Sequence, residues 1–380
     1  MIYLDNCATT KPRAEVVEEM MRILNTDFAN PSSLHRFGMK AEEEREEARK
    51  NVADLLGTSE KNIIFTSGGT ESNNLAIQGI LEKTVNRNKK ILTTKIEHSS
   101  VLDQFKHYEQ MGYDVRYIPV DRYGHIDEEF LFANINGAVL LALAHVNNEV
   151  GTLNDIKDIA SKVKKINRDI HIHVDGVQAF GKIPFKVRDF EIDTYSFSSH
   201  KIYGPKGVGG LYIKPGTNLR SLFIGGGQEK NLRSGTENMP GIVGFGKAAS
   251  IMRENFESEY NHVVELKAYA KDKIESEFKD FEFNFDEKSS PYIFNVGFRN
   301  VRGEVLLHFL ENDEIYISTS SACSSNSGGK SHVLTELGID NKLLEGSIRF
   351  CFSYEITKAD LDIFIEKLKI YINEIRSIMK

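Results

Sequence analysis

The chain has 380 residues, more than the ~250–300 at which a single hydrophobic core stops growing, so two domains are expected. A net charge of −7 with acids and bases interspersed argues against nucleic-acid binding as the main activity, and Lys-rich pieces such as Lys162-Val-Lys164-Lys165 read as solvated helix faces. Three cysteines make no disulfide framework, the N-terminus has neither the basic nor the apolar region of a signal peptide, and the longest apolar run, Ala138 to Ala144, falls far short of the ~18 residues of a spanning helix, which together predict a cytoplasmic protein away from membranes.

From Pro12 to about Ser250, helix and strand signals alternate, the pattern of helices on a mostly parallel sheet. Pro at its start predicts a helix over Pro12–Leu24, and Gly57 stops another over Ala41–Leu56. Strands are expected at Ile63–Thr66, Lys90–Thr94, Asp114–Pro119, Val139–Ala144, His171–Val174, Thr194–Ser198 and Gly209–Ile213, seven in all. Further helices are expected at Thr70–Leu81, Ser99–Met111 and Ile156–Ile166. A long helix from about Asn255 to Phe278 leads into a different texture. Phe281–Phe285, Ile293–Phe298, Ile315–Thr319 and Ser347–Phe352 read as antiparallel strands with helices between them. Thr357 with Asp360 begins a final helix whose stripe Leu361, Phe364, Ile365, Leu368, Ile372, Ile375 and Met379 is core. The expected class is therefore α/β, with a large domain over 12–255 and a smaller α+β domain made of 1–11 and 256–380.

Chemistry-bearing residues fall at the ends of these strands, where such sheets bind cofactors. Asp175 ends one strand, Gln178 follows it by three residues, and Lys201 closes Ser198-Ser199-His200-Lys201 after another. An amine for a Schiff base and a carboxylate for a pyridinium nitrogen are what a pyridoxal phosphate enzyme requires. Ser67-Gly68-Gly69-Thr70-Glu71 follows a strand and opens a helix, a turn that suits phosphate, and Ser198 and His200 can add donors. His98 follows the strand Lys90–Thr94 and could stack on a flat ring or move protons. Asn147-Asn148 ends a buried strand, where an amide could grip a cofactor hydroxyl or a substrate carboxylate, and Arg349 offers a fork for a carboxylate. Cys323 lies in the Gly/Ser-rich stretch Ser318–Lys330, where a thiol would be exposed and nucleophilic, whereas Cys351 in Arg349-Phe-Cys-Phe352 reads as a buried core thiol.

Tyr3-Leu-Asp-Asn-Cys-Ala-Thr-Thr10, Ser67-Gly-Gly-Thr-Glu-Ser-Asn-Asn74, Glu97-His98, His145-Val-Asn-Asn-Glu-Val-Gly151, His173-Val-Asp-Gly-Val-Gln178, Ser196-Phe-Ser-Ser-His-Lys201, Arg233-Ser-Gly-Thr236 and Ser321-Ala-Cys323 resemble the group I (NifS/IscS-like) cysteine desulfurases, a branch of the fold-type I pyridoxal phosphate enzymes. The resemblance runs in order along nearly the whole chain. It implies pyridoxal 5'-phosphate as cofactor and no metal. Lys201 would hold it as a Schiff base, Asp175 the ring nitrogen and Gln178 the ring hydroxyl, with His98 stacked on the ring. Gly69, Thr70, Ser198 and His200 would bind its phosphate, joined by Thr236 from the second subunit of a homodimer. Asn148 and Arg349 would hold the carboxylate of L-cysteine. Cys323 would accept the sulfur as a persulfide and pass it to an acceptor, a tRNA sulfurtransferase or an iron–sulfur scaffold, with L-alanine as the other product. Two departures stand out: Cys7, where these enzymes more often carry another small or polar residue, and Ser199, in place of a frequent glycine. A class V aminotransferase is the alternative enzyme, having no use for Cys323, and a noncatalytic sulfur-relay scaffold the alternative outside enzymes.

Overall fold

The computed structural model describes residues 1–84, 89–319 and 330–378. Its strands, in chain order, are β1 (Ile2–Tyr3), β2 (Ile63–Thr66), β3 (Lys90–Thr94), β4 (Asp114–Ile118), β5 (Leu140–Ala144), β6 (His171–Asp175), β7 (Thr194–Ser198), β8 (Gly209–Ile213), β9 (Phe281–Phe283), β10 (Ile293–Phe298), β11 (Ile315–Tyr316), β12 (Ser318–Thr319) and β13 (Ser347–Cys351). Among the described residues, seven strands build one sheet in the order β2-β8-β7-β6-β5-β3-β4, and only β8 runs against its neighbours. Strand chemistry follows position in this sheet. The apolar β5, Leu-Leu-Ala-Leu-Ala, is central and covered on both faces, whereas the edge strand β4 carries the exposed Asp114 and Arg116.

The second sheet, β12-β13-β10-β9, is antiparallel and packs against the final helix, Lys358–Ile378. The stripe Leu361, Phe364, Ile365, Leu368, Ile372 and Ile375 is buried as expected, and Met379 lies outside the described residues. The first residues run with this part of the chain. β1 pairs with β11 in parallel, and the Leu4 carbonyl accepts from Cys351 N–H. The expected single strand Ile315–Thr319 is thus two short ones with different partners, β11 serving β1 and β12 serving β13.

Two helices start earlier than expected. One spans Arg36–Leu56, because the His35 side chain accepts from Gly38 N–H and so supplies a cap. The other spans Met239–Glu277, sixteen residues ahead of the expected Asn255. Its glycines disfavour helix in isolation, yet they are the packing surface: a Cβ on Gly246 would lie 2.5 Å from Ala48 Cα, and one on Gly244 would lie 2.6 Å from Met20 Cγ. Asn238 caps its start by accepting from Gly241 N–H. A short helix at Glu128–Asn134, capped by Asp127, was not expected.

Candidate active site

Three strand ends meet at one cavity of 430 Å³. β6 ends at Asp175 and turns at Gly176, where a Cβ would lie 1.8 Å from the Tyr195 ring, so only glycine lets the chain bend there. The Asp175 carboxylate accepts from Val177 N–H at 3.0 Å and from Asn73 Nδ2 at 2.8 Å. Gln178, on the same turn, donates through Nε2 to the Cys7 carbonyl at 2.9 Å, while its buried Oε1 has no partner among the described residues. β7 ends at Ser198, and a single helical turn, Ser199–Lys201, aims the Lys201 amine at the carbonyls of Ala8 (2.7 Å) and Cys7. β2 leads into the helix Gly69–Leu81, whose first N–H groups lack intrahelical acceptors. A Cβ on Gly69 would lie 2.6 Å from Val177 Cγ2, so the helix start closes onto the Asp175 turn only because residue 69 is glycine.

The opposite wall comes from the second sheet. Arg349, buried on β13, donates through its terminal nitrogens to the Asn148 carbonyl at 2.8 Å and to Asp5 Oδ1 at 3.0 Å. Its Nε, like Ser198 Oγ, is buried without a partner among the described residues. An unpaired guanidinium N–H, an unpaired hydroxyl and an unpaired amide oxygen fit a polar ligand with carboxylate and phosphate groups.

Electrostatics sharpen the assignment. His98 caps the helix Ser99–Gln110, with Nδ1 accepting from Ser100 N–H at 3.1 Å. Burial and the nearby Lys201 hold its pKa below the usual value, outweighing the pull of Asp175, so it presents a neutral ring to the cavity. His200 is lowered to about 4 by burial and by Lys201. Next to the cavity, burial pushes Glu97 up to about 8, and Asp5 is raised by burial despite Arg349. These perturbations cluster around one cleft, as they do at functional sites.

Ten of the residues singled out by sequence line this cavity: Gly69, Thr70, His98, Asn148, Asp175, Gln178, Ser198, His200, Lys201 and Arg349. Thr236 does not; it is exposed in the same chain. Cys323 and the loop around it lie outside the described residues. Sequence reasoning missed Asp5, Ser100 and Asn73. Asp5 and Asn73 sat inside motifs already noticed, but their roles come from partners distant in sequence.

One expectation is corrected. Cys7 and Cys351 were read as separate thiols with no disulfide in the chain; they are bonded to each other, with Cα atoms 5.8 Å apart. The cause is the N-terminal segment, which runs beside β13 so that Asp5 bridges Cys351 across 346 positions of chain. Cysteine parity carries no trace of this.

The sequence matches the family described as Aminotransferase class-V over residues 2–364. It is 40% identical to a Cysteine desulfurase IscS of Dictyoglomus turgidum over 99% of this chain and 96% of that one. A Cysteine desulfurase of Nostoc sp. is likewise 40% identical, over 100% of this chain and 94% of that relative. Among solved structures, a NifS-like protein superposes with a TM-score of 0.92 at 37% identity, over 98% and 99% of the two chains. SspA in complex with cysteine superposes with a TM-score of 0.81 at 33% identity, over 94% of this chain and 100% of that one.

Proposed function

The chain belongs to the class-V aminotransferase family, and from that premise we propose that it is a pyridoxal 5'-phosphate-dependent cysteine desulfurase in which Lys201 and Asp175 hold the cofactor and Cys323 takes the sulfur. The observation that carries this reading is the convergence of Lys201, Asp175 and Arg349 on one cavity from three separate strands of two sheets.

Bound there, pyridoxal phosphate supplies an aldehyde carbon and a ring that withdraws electrons from the substrate Cα. The protein's part follows from its own groups. Lys201 would hold the cofactor through its amine, and as a free amine it would take up and give back a proton near the substrate Cα. Asp175 would accept the ring N–H, and Gln178, whose buried Oε1 has no partner among the described residues, would hold the ring hydroxyl. The N–H groups of Gly69 and Thr70, with Ser198 and neutral His200, bind the phosphate. Thr236 of a second subunit completes that site in a homodimer. Asn148 and Arg349, which line the cavity, would hold the L-cysteine carboxylate. His98 stays neutral against the ring face and offers Nε2–H to the substrate.

Cys323 thiolate attacks the substrate sulfur. The S–S bond forms as the Cβ–S bond breaks, the bond pair stays with carbon and is protonated, and alanine leaves. The persulfide then passes to a sulfur acceptor protein serving tRNA thiolation or iron–sulfur assembly. No helix among the described residues is long and apolar enough to cross a membrane.

Two variants test the reading. Lys201→Ala is expected to lose the yellow colour and all alanine formation. Cys323→Ser is expected to keep the colour and the absorbance change on adding L-cysteine, but to release no alanine and carry no extra sulfur by mass spectrometry. Normal alanine formation in either variant would refute the assignment.

A further inference from the structure

Asn73 is 1% exposed, and every polar atom of its side chain is engaged. Nδ2 donates to Asp175 Oδ2 at 2.8 Å and to Ser100 Oγ at 2.8 Å, and Oδ1 faces His173 Nε2 at 3.0 Å. His173 is fully buried, with Nδ1 2.9 Å from Thr194 Oγ1.

The chemistry of the acceptors orients the whole network. An amide oxygen only accepts, so His173 carries its proton on Nε2 and its Nδ1 accepts from the Thr194 hydroxyl. Burial lowers the His173 pKa to about 4, so the ring keeps that single proton at neutral pH. On the other branch, Ser100 Oγ accepts from Asn73 and directs its own proton to His98 Nδ1, 2.9 Å away. That leaves the His98 proton on Nε2. Every donor thus points one way, from Thr194 through His173 to Asn73, and from Asn73 to both Asp175 and His98.

We propose that Asn73, locked by His173, is a positioning residue that fixes the Asp175 carboxylate and the His98 tautomer together, so that the ring-nitrogen and ring-face contacts of the cofactor are set by one side chain. Without the His173 donor the buried amide oxygen loses its partner, and the amide is held in its orientation by Asp175 and Ser100 alone. Turned over, its oxygen would face Asp175 Oδ2 at 2.8 Å, two acceptors in contact, and Ser100 would lose its donor. Asn73 and His173 themselves meet no reacting atom; their effect travels through Asp175 and His98.

This inference rests on the cofactor site proposed above, and its test separates the two. His173→Leu removes the donor, while His173→Gln keeps an N–H near the Nε2 position. Cofactor retention by the holoenzyme is measured by ultrafiltration, and the pH midpoint of its visible absorbance by titration. His173→Leu and Asn73→Leu are expected to weaken retention about tenfold or more, the worth of a hydrogen bond to a charged group, and to shift the midpoint. His173→Gln is expected to restore both to near the wild-type values. The His173 pair decides the matter even where Asn73→Leu does not fold. A His173→Leu protein with wild-type retention and midpoint overturns the inference, as does a folded His173→Gln protein as impaired as His173→Leu. A wild-type chain that holds no pyridoxal phosphate overturns instead the reading of the site.

Discussion

Removing the Arg349 guanidinium should expose how the substrate is gripped. The side chain is 4% exposed, two of its nitrogens are already held by Asn148 and Asp5, and Nε is open. It is therefore pre-set at a fixed angle, and little ordering remains to be done when a carboxylate arrives. Each charge-assisted hydrogen bond is worth about 1.5–3 kcal/mol, so a two-point grip is worth about 3–6 kcal/mol, or about 150- to 20,000-fold in kcat/KM. Arg349→Ala should lose that much. Arg349→Lys keeps a charge but not the fork and should lose about half the free energy, about 10- to 100-fold. The carboxylate takes no part in bond breaking, so the loss should fall mainly on KM. The assay is desulfurated product against substrate concentration, alanine from L-cysteine and ethylamine from cysteamine, which lacks the carboxylate. The wild-type preference for cysteine over cysteamine should largely vanish in Arg349→Ala. An alanine variant whose KM and preference match the wild type would refute the role given to Arg349.

Glu97→Gln should stabilise the fold increasingly as pH rises. The buried carboxyl has a folded pKa of about 8, above its value in the unfolded chain, so its contribution is fully present below about pH 4.5 and is lost as pH rises toward 8. The gap between variant and wild type should widen by about 1.4 kcal/mol per pH unit across that window and then level off; equal urea midpoints for the two proteins at pH 5.5 and at 7.5 would contradict this. After mild oxidation, the unfolded chain should show one titratable thiol and, after reductant, three, because Cys7 and Cys351 pair with each other and Cys323 is the third cysteine of the sequence. Three thiols before reductant would mean that the pair does not form. Mixing Lys201→Ala with Thr236→Val subunits should restore about a quarter of wild-type activity, since half of the dimers would then hold one intact site. No recovery would place Thr236 outside the neighbouring subunit's site.

Local chemistry was enough to pick out many of the residues that line the cavity. Strand composition, the glycines after β2, and the residue types at strand ends put Lys201, Asp175, Gln178 and His98 among the site candidates, because a cofactor needs particular functional groups and a parallel sheet presents them at one edge, and the guanidinium fork of Arg349, on the second sheet, suits a carboxylate. The same logic failed where a residue's role depends on what lies across the fold. Gly241, Gly244 and Gly246 argue against helix in isolation, yet they sit within one because Met20 and Ala48 leave no room for a side chain at Gly244 and Gly246. Cys7 looked like a stray substitution until the N-terminal segment was laid beside β13. Asn73 carried no role of its own within the motif Ser67–Asn74, and its hydrogen bonds appear only when His173 and Asp175 from β6, about a hundred residues later, close on its two ends. Propensity and functional-group chemistry are properties of a short stretch of chain, so sequence could determine them alone; hydrogen-bond partners and steric limits belong to pairs of residues, and only the folded chain decided which pairs meet.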